Sequence, residues 1–144
     1  MNVTTSQYHE AIKAWGANCG IVSFCALLGY SFDKAKEAFM PRFAKDGCVY
    51  TDHMRAVLTR QGIKWRDNRG EFPDRGLVTV RWSTEHDRTS PAHWLCCSGG
   101  KIFDGYSPEW RWMSVTDWER GVLPDLAGGH VLVWTVGDAI RVER

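Results

Sequence analysis

Cys19 stands where a nucleophile would be expected. Asn18 is a good N-cap residue, so a helix that begins after it places Cys19 in the first turn. There the unpaired backbone N–H groups and the helix dipole favour a thiolate, and they can also receive the oxyanion that forms when a carbonyl is attacked. Gly20 leaves room for a substrate beside the sulfur. A cysteine next to an apolar helix is more often a small buried hydrophobe, as we expect for Cys25. The assignment of Cys19 as a nucleophile therefore depends on finding a base that can reach it.

A base and its acid partner are predicted within one segment, residues 92–106. Two strand-like runs flank Gly99-Gly100, a strong signal for a two-residue hairpin turn. Because side chains alternate along strands, this register makes His93 and Asp104 diagonal neighbours on one face, roughly 7 Å apart between backbone positions. A four-residue loop would keep the pairing, whereas a three-residue loop would put the pair on opposite faces. The hairpin therefore predicts a His–Asp dyad.

The other four histidines lack such a partner. His130 begins an apolar strand, but folding that strand back through Gly137-Asp138 ends the chain before a carboxylate faces the histidine. The remaining three lie in the N-terminal segment, on an amphipathic helix and in a polar loop: His9, His53 and His86. Taken alone, each is more often structural or solvated than catalytic.

The thiols are predicted to be reduced, and no metal site is expected. The chain has five cysteines, an odd number: Cys19, Cys25, Cys48, Cys96 and Cys97. Two adjacent cysteines on a strand can hardly bridge each other. No C-x-x-C occurs, and the histidines do not fall at zinc-ligand spacings.

The elements that would position these residues change from helices to strands along the chain. The patterns predict helices over 5–15, 19–28, 32–39 and 52–61, bounded by glycine or proline, and the second of them is apolar nearly all round, as in a buried helix. Strands are predicted at 63–65, 77–82, 92–97, 101–104, 131–136 and 139–142, with a short helix around 115–120. Helices followed by a mostly antiparallel sheet indicate an α+β fold, and no linker divides residues 1–144 into domains.

Charge and hydropathy exclude several classes of function. Eighteen basic and seventeen acidic residues leave a net charge of +1, so neither nucleic acid nor an anionic membrane is an expected partner. No apolar stretch is long enough to span a bilayer, and MNVTTSQYHE does not resemble a signal peptide. We therefore expect a cytoplasmic protein, and these features would suit a bacterial or bacteriophage gene. The sequence does not indicate an oligomeric state.

The order Cys, His, Asp, with the cysteine heading a buried helix, resembles the papain-like cysteine peptidases. N-C-G-I-V-S-F-C-A-L-L-G-Y is similar to the nucleophile segment of the bacteriocin-processing, double-glycine-leader peptidase domains, and H-W-L followed by G-K-I-F-D is similar to their His and acid strands. The resemblance covers the whole chain in layout and these two segments in residues. It implies one papain-like domain over residues 1–144, a Cys19–His93–Asp104 triad, a peptide or isopeptide substrate and no cofactor.

One position departs from that family. Such enzymes place a glutamine about six residues before the cysteine, where its amide completes the oxyanion hole, and this chain has Lys13 there. Asn18, Gln7 or the indole of Trp15 is a candidate replacement. The departure leaves hydrolysis as the expectation, with three alternatives: acyl transfer, deamidation, or a papain-like scaffold that has lost catalysis and binds a protein.

Eight tryptophans are many for this length. Filling of the core explains most of them, including Trp94 and Trp134 in apolar strands. Trp110 and Trp112 follow the acid strand in a partly polar segment, where aromatic residues often form binding surfaces. The candidates for a substrate groove are accordingly Gly20, Trp94, Trp110 and Trp112.

Overall fold

The computed structural model describes residues 3–40, 49–86 and 90–143. In these residues there are six helices: α1 Thr5–Trp15, α2 Cys19–Leu28, α3 Phe32–Phe39, α4 Thr51–Arg60, α5 Val115–Gly121 and α6 Leu123–Ala127. The six strands are β1 Lys64–Asp67, β2 Arg75–Thr84, β3 His93–Ser98, β4 Lys101–Phe103, β5 Met113–Ser114 and β6 Val131–Glu143. None of these helices has the length and apolarity needed to cross a bilayer.

Helices α1 and α2 have the predicted bounds, and residues suited to capping stand at their ends. Thr4 and Gln7 form a capping box at the start of α1, and the helix stops at Gly16, whose φ of 78° is left-handed. Asn18 caps α2 through its side-chain oxygen, which accepts the N–H groups of Gly20 and Ile21. Cys19 is therefore the first residue of α2, as the sequence predicts.

All strand pairings in the described sheet are antiparallel, in the order β1-β6-β2-β3-β4-β5. β3 and β4 form the predicted two-residue hairpin, with Ser98 opposite Lys101 and Cys97 opposite Ile102. The α+β class and the hairpin register are confirmed.

The C-terminal strand corrects the sequence-based prediction. Two strands were expected there, with a turn at Gly137-Asp138, but β6 runs without a break from Val131 to Glu143. The Asp138 N–H donates to the hydroxyl of Thr79 in β2, and the β2–β6 register shifts between Val78 and Val80. A bulge therefore accommodates the residues that resemble a turn. The short β5 and α6 were not predicted.

The sheet carries a core cluster on each face. One cluster joins Leu77, Cys96 and Phe103 of the sheet to α1–α4, and α2 packs on β3 at its centre. The other joins Val78, Leu95 and Ile102 to the C-terminal helices. Alternate residues of β3 thus face opposite cores. The helix that carries Cys19 and the helix α5 lie on opposite sides of the strand that carries His93.

Candidate active site

Cys19 meets the sheet at the first residues of β3. Its side chain is partly exposed, and its Sγ accepts the backbone N–H of Trp94 at 3.4 Å. Gly20 makes this approach possible, since a β-carbon there would lie 3.0 Å from Cβ of Val49 and 3.1 Å from Cδ1 of Trp94. The sulfur therefore lies beside a backbone donor and next to the residue after His93.

The hairpin brings His93 and Asp104 into direct contact. His93 Nε2 lies 2.9 Å from Asp104 Oδ1, and both residues are buried. Since Nε2 is used in this contact, Nδ1 is the ring nitrogen left for the Cys19 thiol. The contact between His93 and Asp104 that strand alternation predicts is confirmed.

Asp104 is completely enclosed and accepts three hydrogen bonds. Its Oδ1 also accepts the backbone N–H of Tyr106 at 2.9 Å, and its Oδ2 accepts the indole N–H of Trp118 at 2.9 Å. A buried carboxylate needs such donors, because each unpaired oxygen would carry a desolvation penalty. The carboxylate is therefore fixed in orientation from both sides.

The imidazole of His93 favours its protonated form. Burial lowers the pKa of His93, but hydrogen bonds to Asp104 and Cys19, together with their charges, outweigh burial and raise the pKa to about 10. Asp104 and Cys19 thus both act on the imidazole in the direction that favours its protonated form.

The other described cysteines differ from Cys19. Cys25, Cys96 and Cys97 are buried, and burial raises the pKa of each thiol, to about 12 for Cys25 and Cys97. They are free thiols in apolar surroundings, where the reactive thiolate is disfavoured. Cys48 lies outside the described residues.

The predicted oxyanion candidates have other contacts. The side-chain oxygen of Asn18 accepts two backbone N–H groups as the N-cap of α2. Gln7 is exposed, and its side-chain oxygen accepts the Thr4 N–H in the capping box of α1. Trp15 is partly buried and packs against the helical core.

The predicted groove candidates contribute mainly to packing. Trp94 is buried and donates its indole N–H to the Val49 carbonyl at 2.8 Å, and the space beside Gly20 is filled by these two residues. Trp110 is partly buried, donates to the Val3 carbonyl and contacts Phe103 edge-to-face. Trp112 is partly buried against the same phenylalanine. Trp110 and Trp112 keep partial exposure and can still contribute to a binding surface.

Tyr8 was not singled out from the sequence. Its ring stacks on Phe32 at 5.7 Å and packs against Trp110 at 5.9 Å between centroids. Burial, then the charges of Cys19 and Asp104, raise the pKa of its hydroxyl, which forms no hydrogen bond with another described residue. Tyr8 lies three residues before the buried Ala11, and this spacing puts both on the same, inner face of α1. That spacing could have identified Tyr8 from the sequence.

Two cavities among the described residues lie away from Cys19 and His93. One, of about 660 Å³, lies between the end of α2 and the β1–β6 edge and is lined by residues such as Leu28, Ile63 and Val142. Another, of about 390 Å³, lies between α1 and α3. Neither is lined by Cys19 or His93. Within the described ranges, no group of three His, Cys, Asp or Glu residues is arranged to hold a metal ion.

Comparison of the chain with protein-family models, with curated proteins and with solved structures gave no match.

Proposed function

We propose that this chain is a papain-like cysteine hydrolase that cleaves an amide bond of a peptide or isopeptide. The observation that carries the proposal is one histidine that interacts with both a partly exposed thiol and a fully buried carboxylate. A histidine with only a structural role does not need a partly exposed thiol as a second partner beside the carboxylate. Among the described residues, the buried cysteines have no comparable partner.

The proposed reaction follows the roles of the three side chains. His93 takes the proton of the Cys19 thiol, and the thiolate attacks the carbonyl carbon of the scissile amide. The tetrahedral intermediate collapses as His93 protonates the leaving amine, which leaves a thioester on Cys19. A water molecule, deprotonated by His93, attacks the thioester and releases the acid and the thiol. Asp104 orients His93 and stabilises its charged form throughout.

The oxyanion requires donors near the sulfur. The backbone N–H of Cys19 is in the first turn of α2, where a helix leaves its N–H groups without an intrahelical acceptor. Tyr8, whose pKa is raised in part by the charges of Cys19 and Asp104, is a candidate for the side-chain donor in place of the family's glutamine. The amide N–H groups of Asn18 and Gln7 and the indole N–H of Trp15 stay as alternatives. The raised pKa of Tyr8 keeps its hydroxyl protonated and able to donate.

A second candidate is a protein-binding module on the same scaffold. The cavities near α1, α3 and the β1–β6 edge, which are not lined by Cys19 or His93, favour this alternative. Such a module would bind peptides without depending on the thiol. Acyl transfer and deamidation would use the same thioester chemistry with a different acceptor or leaving group.

Incubation with a proteome-derived peptide mixture, followed by mass spectrometry of new termini, tests the proposal. Hydrolysis predicts products that disappear in Cys19→Ala and in His93→Ala but persist in His130→Ala, which removes an exposed histidine. Incorporation of ¹⁸O from labelled water into the new carboxyl groups distinguishes hydrolysis from acyl transfer. If no product depends on Cys19 and no peptide aldehyde adds to its thiol, the hydrolase proposal is wrong.

A further inference from the structure

We infer that Trp118 is a positioning residue of this site, acting through the outer oxygen of Asp104; the inference rests on the proposed function. Trp118 lies in α5, is completely buried, and donates its indole N–H to Asp104 Oδ2 at 2.9 Å. It therefore reaches the carboxylate from the side of the sheet opposite to the helix that carries Cys19. It does not touch the reacting atoms.

The two oxygens of Asp104 have different donors. Oδ1 accepts both His93 and the backbone of Tyr106, whereas the hydrogen bond described for Oδ2 comes from Trp118. Without the indole N–H, Oδ2 would be an unsatisfied anionic oxygen in a dry environment. The side chain would then rotate away from His93 or take up a proton, and either change weakens its support of the imidazolium.

Trp134 provides a matched control for Trp118. The two rings contact each other edge-to-face with centroids 5.1 Å apart, and each indole donates to a carboxylate. The acceptor of Trp134 is Glu119, which is exposed. Replacement of either tryptophan by phenylalanine removes one indole N–H and similar ring volume from the same cluster, but only Trp118→Phe removes a donor from Asp104.

The experiment compares Trp118→Phe and Trp134→Phe in the full chain. The rate of Cys19 carbamidomethylation by iodoacetamide is measured against pH, and the folded fraction is followed by circular dichroism. We expect Trp118→Phe to slow the reaction near neutral pH by about tenfold or more, since hydrogen bonds to charged groups are among the stronger ones in proteins. We also expect the alkaline limit of the imidazolium-dependent reaction to move to lower pH.

The pH shift separates a positioning role from a structural one. A loss of packing alone would lower the stability of both variants without moving the pH profile. If Trp118→Phe keeps the wild-type profile, as Trp134→Phe is expected to, the inference is wrong. If wild-type Cys19 itself shows no selective reactivity, the proposed function fails first. If Trp118→Phe does not fold, Trp118→His, which retains a ring N–H, must restore both folding and profile; otherwise the inference is rejected.

Discussion

Gly105 lies so close to Val22 of α2 that a β-carbon on the glycine would be 2.3 Å from Cγ1 of the valine. Gly105 directly follows Asp104, and Val22 is one helical turn after Cys19, so this contact joins the acid to the helix that carries the thiol. Val22 is completely buried in the core, so a shift of its side chain would displace its neighbours there. The absence of a side chain at Gly105 thus sets how closely the two parts of the site approach each other.

Gly105→Ala should separate the His–Asp pair from Cys19. We expect Cys19 carbamidomethylation by iodoacetamide to slow by about tenfold to a hundredfold, because small displacements of reacting groups have effects of that size. Overpacking should also lower the free energy of unfolding by about 1–3 kcal/mol. Alkylation kinetics and urea unfolding measure the two effects.

A second substitution checks the cause of that loss. Val22→Ala in the same chain removes the methyl group that the new β-carbon would meet, so the double variant should recover part of the alkylation rate. Gly121→Ala is the control, since its β-carbon would meet no atom within 4 Å apart from its chain neighbours and the backbone of its own helix. An unchanged rate in Gly105→Ala would contradict the proposed coupling.

Asp104→Asn should lower the pKa of His93. In the native chain the value is raised from 6.5 to about 10, so the imidazole should stay protonated as the pH rises through neutrality and lose its proton only near pH 10. The neutral amide removes the charge of Asp104, while burial still opposes protonation, so the variant should titrate well below the native value. NMR of the imidazole protons measures the pKa of His93 in the native chain and in the variant. Glu109→Gln, which neutralises an exposed carboxylate paired with Arg111, should leave the titration unchanged.

Tyr8→Phe tests the proposed side-chain donor to the oxyanion. If Tyr8 donates to the oxyanion, its loss should reduce kcat for peptide hydrolysis by about a hundredfold or more, as the loss of such donors does elsewhere. Cys19 alkylation forms no oxyanion at a carbonyl and should keep its rate. Tyr30→Phe is the control, because the Tyr30 hydroxyl bonds to Gln61. Equal losses in kcat and in alkylation would point to a structural role for Tyr8 instead.

The local parts of the site were accessible from the sequence. A helix cap and a helix end depend only on neighbouring residues, and Asn18 and Gly29 in these roles place Cys19 at the start of α2. The turn at Gly99-Gly100 is equally local and aligns His93 with Asp104. The strand alternation that pairs His93 with Asp104 needs only the hairpin register.

Contacts between distant segments were not accessible in this way. Trp118 lies in α5, on the face of the sheet opposite to α2, and donates from there to Asp104. The sequence predicts the helix but contains no pattern that predicts this contact. The space assigned to a substrate beside Gly20 is filled by Val49 and Trp94, because β3 packs directly on α2. Gly137-Asp138 has the composition of a turn, but Val136 and Ala139 on either side pair with β2, and the segment stays in one strand. In each case tertiary packing decides the outcome.

Selective alkylation of Cys19 tests the central claim most directly. Iodoacetamide is titrated against pH with the native chain and with His93→Ala, and the modified residues are located by mass spectrometry. The account predicts that Cys19 reacts at pH values below about 8.5, where an ordinary thiol is mostly protonated, while the buried Cys25, Cys96 and Cys97 do not react. His93→Ala should abolish this low-pH reactivity, and His130→Ala should retain it. If Cys19 shows only the pH dependence of an ordinary thiol, or reacts equally well without His93, the chain does not contain the proposed nucleophile.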